Sequence, residues 1–321
     1  MSVIAESNHL DANTFQGQYK DILSDYRTWD QKEHADEWLL FPQNIGAKLS
    51  IDEVALSNGE LYTILTNKAA KGRKGAVVAI VKGTESKAVM DILGKIPIAD
   101  CMRVTEITLD MSPSMEWIAT QSFLNATKIT DRFHVQQLVS DALQDVRVAL
   151  RWKAIDKENS AIAQARKDGK NHRPVLYENG DSEKQILARS RYLLFKSSSH
   201  WTENQQKRAT ILFREFPALQ KAYELSMLFR SFYERKTRTE GQESLQKWYA
   251  AVEGHKTDFP SFFTAAHSIK AHEGTILNYF YARATNASAE SFNAKIKNFR
   301  GLVRGVTDKK FFLYRIAMIY G

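Results

Sequence analysis

Apolar positions recur at spacings of three to four through residues 14–40, where Phe15, Tyr19, Ile22 and Tyr26 share a face, and that period predicts a helix. Pro42 and Gly46 punctuate the chain after it. Residues 47–53 then alternate, Leu49 and Ile51 to one side and Ser50 and Asp52 to the other, as a half-buried strand does. A second strand is predicted over 60–66 and a third over 76–82, whose unbroken apolar run suits burial on both faces. The basic stretch NKAAKGRKG between them reads as a hairpin loop. A short helix follows over Thr84–Ile96, with Thr84 as N-cap and no full capping box. Residues 104–110 form a fourth strand, Pro113 opens a helix at a position proline tolerates, residues 126–131 form a fifth strand, and Phe133–Arg151 is helical.

Strands joined first by hairpins and then through helices describe an α/β fold, a mixed five-stranded sheet with flanking helices. Beyond this the texture changes. Residues 153–184 are so polar that they read as a connection, and from Glu183 to Ala282 every pattern is helical. A last helix over 288–299 carries Glu290, Asn293, Ala294 and Lys297 on one face. Four segments result: an acidic helical head (1–46), the first part of the sheet core (47–151), an all-helical insertion (152–282), and the last core helix with a basic C-terminal segment (283–321).

Composition narrows the function classes. No apolar run is long enough to span a membrane and no secretory signal is visible, so the expectation is a cytoplasmic chain with no membrane partner. The single cysteine, Cys101, leaves no internal disulfide and no cysteine-based zinc or iron–sulfur site. Lys and Arg number 45 against 37 Asp and Glu, a formal charge of +8, consistent with an anionic partner or simply with a solvated surface. The charge is uneven, with three basic against eight acidic residues in 1–46 and eight against two in 283–321.

Two aspartates stand where strands rarely carry them. Asp52, with Glu53 beside it, ends the strand at 47–53, and Asp110 ends VTEITLD. Either the pair shares a hard cation such as Mg²⁺, or each caps the turn that follows. Glu290 opens a helix inside the basic segment TNASAESFNAKIKNFRGLVRG. It is either a third ligand, with Asn293 and Lys297 facing a phosphate, or a favourable charge at a helix N-terminus. The loop residues Lys68, Lys71, Arg73 and Lys74 either track a DNA backbone or form a solvated turn. Trp248 in QKWYAAVEG packs a core or stacks on a DNA base.

The residues IDE at 51–53, LDMS at 109–112, DRFHV at 131–135 and TNASAESFNAKIKNFRG at 285–301, in that order, resemble bacterial insertion-sequence transposases of the ISL3 type, most nearly their ISAon-type branch. The resemblance runs from residue 20 to the C-terminus. It implies an RNase H-like DD(E) domain whose sheet is interrupted by a large all-helical insertion. Asp52, Asp110 and Glu290 fall on its acidic triad, which holds two Mg²⁺ ions, with Mn²⁺ as a substitute. Asp131 and His134 fall on an Asp-x-x-His signature, His134 either ligating metal or bracing the site near Asp131. Lys297 is the basic residue seven after the glutamate, and Asn293, Arg300 and Arg304 join it as expected DNA contacts.

The implied activity is metal-dependent strand cleavage and strand transfer at insertion-sequence ends, with DNA ends and target DNA as partners and a homo-oligomer in the DNA complex. The alternatives are an inactive DNA-binding relic or an RNase H-like nuclease without strand transfer. Members of this family usually begin with a cysteine zinc segment and a helix-turn-helix, and neither pattern occurs here. The expectation is therefore a separate DNA-binding polypeptide that docks on the acidic region Asp11–Glu37, through Tyr19, Tyr26, Trp29 and Trp38, unless those rings pack the head onto the core.

Overall fold

The computed structural model describes residues 2–57, 59–283, 287–302 and 308–321. The chain divides into two compact units, one of residues 1–131 with 284–321 and one of residues 132–283. The strands are β1 (Trp38–Leu40), β2 (Lys48–Ser57), β3 (Glu60–Asn67), β4 (Val77–Lys82), β5 (Glu106–Leu109) and β6 (Thr127–Thr130). The principal helices are α1 (Ser86–Leu93), α2 (Pro113–Ser122), α3 (Arg132–Lys167), α4 (Glu183–Arg189), α5 (Arg191–Leu194), α6 (Glu203–Glu215), α7 (Pro217–Arg230), α8 (Arg238–Glu253), α9 (Pro260–Ala271), α10 (Ala287–Leu302) and α11 (Lys309–Tyr320). No described helix is long and apolar enough to cross a membrane.

The first unit is built on one mixed sheet of six strands, in the order β1-β4-β3-β2-β5-β6. β1 to β4 and β2 to β3 pair antiparallel, as do β3 and β4, whereas β2–β5 and β5–β6 are parallel. The sixth strand is β1, whose three residues are too few to show an alternation. Opposite faces of the sheet bury separate cores. Leu49, Ile51, Ile107 and Leu109 meet Val89 and Leu93 of α1 and Met115 and Ile118 of α2. Val54, Tyr62 and Ile64 meet Phe292 and Ile296 of α10 and Phe312 and Ile316 of α11. Each such fully buried side chain contributes about 1.5–3 kcal/mol, so α10 is pressed firmly onto β2 and β3.

Three expectations need correcting here. β2 continues to Ser57, so Asp52 lies in mid-strand rather than at a strand end. Pairing with β3 carries on past it, Asp52 standing opposite Ile64, whereas pairing with β5 stops at Ser50 and Thr108. The predicted helix over 14–40 breaks into an α-helical segment at Ala12–Gln18, a π turn at Tyr19–Leu23 and 3-10 turns at Asp25–Arg27 and Lys32–His34. The aromatic side chains decide this, because Tyr19 and Tyr26 meet Phe311 edge-on and Trp29 meets Tyr314 of α11. Lys20 adds an ion pair to Asp308 at 2.6 Å. Trp38 stacks flat on His34. The four rings expected to dock a partner polypeptide thus pack within their own unit. The helix expected from Thr84 starts at Ser86, with Glu85 at the N-cap position.

The second unit is helical throughout α3–α9, around a core that includes Phe229, Phe232, Trp248 and Phe262. The polar stretch expected to be a connection from residue 153 remains helical to Lys167. Its charges face solvent or pair with α4, Lys157 with Glu183 and Glu158 with Lys184, each at 2.8 Å. The following loop is pinned by fully buried Asp181, which pairs with Arg189 and, at 3.1 Å, with Arg208.

Candidate functional site

Parallel pairing brings the strand aspartates to the same end of neighbouring strands. Leu49 pairs with Ile107 and Ser50 with Thr108, and Asp52 and Asp110 each lie two residues beyond the last of these pairs. Thr108 pairs with Ile129 and Leu109 with Thr130, so one residue further Asp110 comes level with Asp131. The Asp131 N–H donates to the Leu109 carbonyl at 2.7 Å, and its side chain is 1% exposed. Side chains alternate across a sheet, so Ser50, Asp52 and Val54 share the face on which α10 and α11 lie. Thr108 shares that face through its pairing with Ser50, and the alternation assigns Asp110 to it as well.

Asp52 is half-buried and held from two directions. The Glu53 N–H donates to its Oδ1 at 2.8 Å, and the amide of Asn293 on α10 donates to its Oδ2 at 2.7 Å. Asn293 is itself 8% exposed, because its helical neighbours Phe292 and Ile296 bury α10 against the sheet. Asp110 follows β5 directly, and its Oδ1 accepts the N–H of Ser112 at 2.8 Å, a turn-capping bond that leads into α2. Burial, and after it the negative charges of Asp110 and Asp52, push the Glu53 carboxyl above its ordinary value. Glu53 therefore sits within electrostatic reach of both Asp52 and Asp110.

A second polar line lies along the same strands. Lys68 donates to Glu106 Oε1 at 2.8 Å and to Thr108 Oγ1 at 2.9 Å, while Lys48 pairs with Glu106 Oε2 at 3.0 Å. Burial raises the Glu106 carboxyl, but these two ammonium groups outweigh it and hold the group below the ordinary carboxylate range. Lys68 is consequently engaged in the fold rather than offered to a ligand. The remaining basic residues of its loop, Lys71, Arg73 and Lys74, are exposed. Their loop is tethered to α10, since Lys295 donates to the Gly72 carbonyl at 2.8 Å. Gly72 has φ +66°, and a Cβ there would stand 3.1 Å from the Lys295 ammonium, so the position favours glycine on both counts.

The other expected contacts divide. Lys297 is exposed on α10. Arg300 instead donates to the Ala55 carbonyl of β2 at 3.3 Å. Asn293, expected to face a phosphate, faces Asp52, because the apolar face of α10 turns that edge of the helix inward. Trp248 is 0% exposed and its indole N–H donates to the Leu225 carbonyl at 3.0 Å, so it packs the core of the helical unit and cannot stack on DNA. His134 lies half-buried near the start of α3, edge-on to Phe133. Glu290 lies in α10 one helical turn before Asn293, but its side chain is outside the described residues, as is Arg304 altogether. Among the described residues no three His, Cys, Asp or Glu side chains converge closely enough to hold a metal ion.

Sequence reasoning named Glu53 and Lys68 but missed what each of them meets, and it missed Lys295 altogether. Adjacent carboxylates inside a strand were the available signal for Glu53. For the two lysines there was none, since their partners are distant in the chain. Compared with known families, the chain is similar over residues 49–316 to a family described as transposase, that of the ISL3-type DDE enzymes. No curated protein matches it.

Proposed function

The chain belongs to the ISL3-type DDE transposase family, and from that premise we propose that it is the catalytic part of a transposase with an RNase H-like core. In this reading it cleaves DNA at insertion-sequence ends and joins the freed 3′ ends to target DNA. The observation that carries the reading is the hydrogen bond from Asn293 to Asp52. It ties the helix that bears Glu290 to the strand that bears Asp52, and that strand pairs with the one Asp110 follows.

The donors fit a hard divalent cation. They are carboxylate oxygens, and the charges acting on Glu53 from Asp52 and Asp110 are both negative, so cation binding relieves a repulsion built into the fold. Asp52, Asp110 and Glu290 are the proposed holders of Mg²⁺ or Mn²⁺, which supplies activation of the attacking oxygen and charge stabilisation of the leaving 3′ oxygen. Asn293 keeps the Asp52 carboxylate in one orientation, its Oδ2 fixed from the helix and its Oδ1 from the Glu53 N–H. Asp131, level with Asp110 and buried, anchors the end of β6 beside the site, and His134 follows it at the start of α3. Lys297, Lys71, Arg73 and Lys74 supply exposed positive charge for DNA phosphates. Attack by water and then by a 3′-OH is the same in-line displacement at phosphorus, so no serine, tyrosine or cysteine nucleophile is required.

The test is a strand-transfer reaction with pre-cut transposon-end oligonucleotides, a plasmid target and Mg²⁺. Joined products that vanish in Asp110→Asn, with that variant's melting temperature unchanged, support the proposal. Joining by Asp110→Asn at the wild-type rate refutes it.

A further inference from the structure

Within the helical unit, α3 and α5 present a basic and aromatic face that the carboxylate site does not use. Arg147 is 5% exposed on α3 and spends its hydrogen bonds inside the unit, Nε to Gln144 at 2.6 Å and Nη1 to the Leu187 carbonyl at 2.9 Å. Burial, followed by the positive charges of Arg151 and Arg191, pushes its guanidinium below the ordinary range. Three guanidinium groups therefore share one neighbourhood in which the charges that act on Arg147 are all positive. Arg151 and Arg191 are exposed, and neither makes an ion pair among the described residues. The contrast with the next turns of α3 is sharp, because Lys157 and Lys184 each have a glutamate at 2.8 Å.

Beside the arginines stand two rings that the fold leaves in water. Trp152 is 61% exposed and Tyr192 is 69% exposed, with the Arg191 guanidinium 5.6 Å from the Tyr192 ring centroid. Val148, one turn before Trp152, is 36% exposed and extends the apolar strip. Uncompensated arginines next to protruding aromatic faces are the combination that binds unpaired nucleic acid, cations taking phosphates and rings stacking on bases. Paired duplex offers only phosphates to such a face, its bases being already stacked.

We propose that Arg151, Trp152, Arg191 and Tyr192 form a binding surface for an unpaired stretch of DNA, the choice of DNA resting on the function proposed above. Arg151 and Arg191 take backbone phosphates, and Trp152 and Tyr192 stack on exposed bases. Arg147, buried behind them, holds α3 to α4 and adds its charge without touching the strand.

The experiment is fluorescence anisotropy of the full chain in EDTA, with a short mixed-sequence single-stranded oligonucleotide and the blunt duplex of the same sequence as probes. The double variant Arg151→Gln/Arg191→Gln should lower the slope of log affinity against log salt by about 1.4 on the single strand, roughly 0.7 for each lost phosphate contact. Trp152→Ala should weaken single-strand binding about tenfold and leave duplex binding unchanged, while Trp152→Phe retains most of it. Lys207→Gln, on α6, should change neither probe. Unchanged single-strand affinity and slope in the variants, or a loss in Trp152→Ala that is equal on duplex and single strand, overturn the surface. Strand transfer measured in parallel separates the two proposals. If it depends on Asp110 while the patch variants bind normally, the surface alone fails. If wild-type protein joins no ends but the patch variants lose single-strand affinity as stated, the transposase activity fails and the surface stands.

Discussion

Replacing Asn293 by alanine removes a single donor, the amide 2.7 Å from Asp52 Oδ2. A hydrogen bond to a charged partner is worth about 1.5–3 kcal/mol, and at 1.4 kcal/mol per tenfold that corresponds to a roughly 10- to 150-fold effect. If the amide orients Asp52 for metal binding, the loss appears chiefly as weakened use of the metal. Strand transfer by Asn293→Ala should therefore fall about 10- to 100-fold at low Mg²⁺ and recover substantially as Mg²⁺ is raised. A purely structural role predicts a lower melting temperature but the wild-type Mg²⁺ dependence. The assay is a rate titration in Mg²⁺, paired with thermal melts of both proteins. An Asn293→Ala protein with wild-type rate and half-saturating Mg²⁺ would refute the argument that this bond organises the site.

Other outcomes follow from the same structure. Asp52→Ala and Glu290→Ala should each abolish strand transfer while the far-ultraviolet circular dichroism is retained, since neither substitution removes an apolar side chain. Lys297→Ala should reduce the salt slope of duplex binding by about 0.9, the value for one phosphate contact, and an unchanged slope would assign Lys297 to an ordinary solvated face. Trp248→Ala should cost about 3–5 kcal/mol in urea unfolding without any selective effect on DNA affinity. The Glu106 carboxyl lies below its unfolded value, so its ion pairs stabilise the fold above about pH 4.3 and are lost as the pH falls through the native value. Urea midpoints of wild type should accordingly drop more between about pH 6 and about pH 3 than those of Glu106→Gln.

Much of the sheet was legible because strand alternation is local. Leu49, Ile51, Ser50 and Asp52 declare their faces in the sequence itself, and Asp110 does so at the end of an apolar run. The pairing that brings Asp52 and Asp110 to the same end of neighbouring strands was not legible, since it depends on which parallel strand β2 chooses as neighbour. Glu290, Asn293 and Lys297 lie in one helix, but spacing does not say which edge of a helix turns inward. Asn293 was therefore assigned to phosphate when Phe292 and Ile296 carry it to Asp52. The head failed for another reason: its helical period is real, but Tyr19, Tyr26 and Trp29 gain more by wrapping onto α11 than a continuous helix would allow. Trp248 shows the limit of motif reading, because an aromatic beside basic residues reads alike in a core and on a surface.

In the proposed function, β2, the end of β5 and the start of α10 hold one metal-binding centre. Fe²⁺ binds oxygen donors of the kind that hold Mg²⁺, and with ascorbate and peroxide it cleaves the polypeptide beside the bound ion. Mapping those cuts in the full chain by mass spectrometry tests the claim directly. Cuts are expected to cluster around Asp52, Asp110 and Glu290, to be suppressed by excess Mg²⁺ and to be lost together in Asp110→Asn. Cuts confined to one of these segments, or clustered away from all three, would contradict the claim.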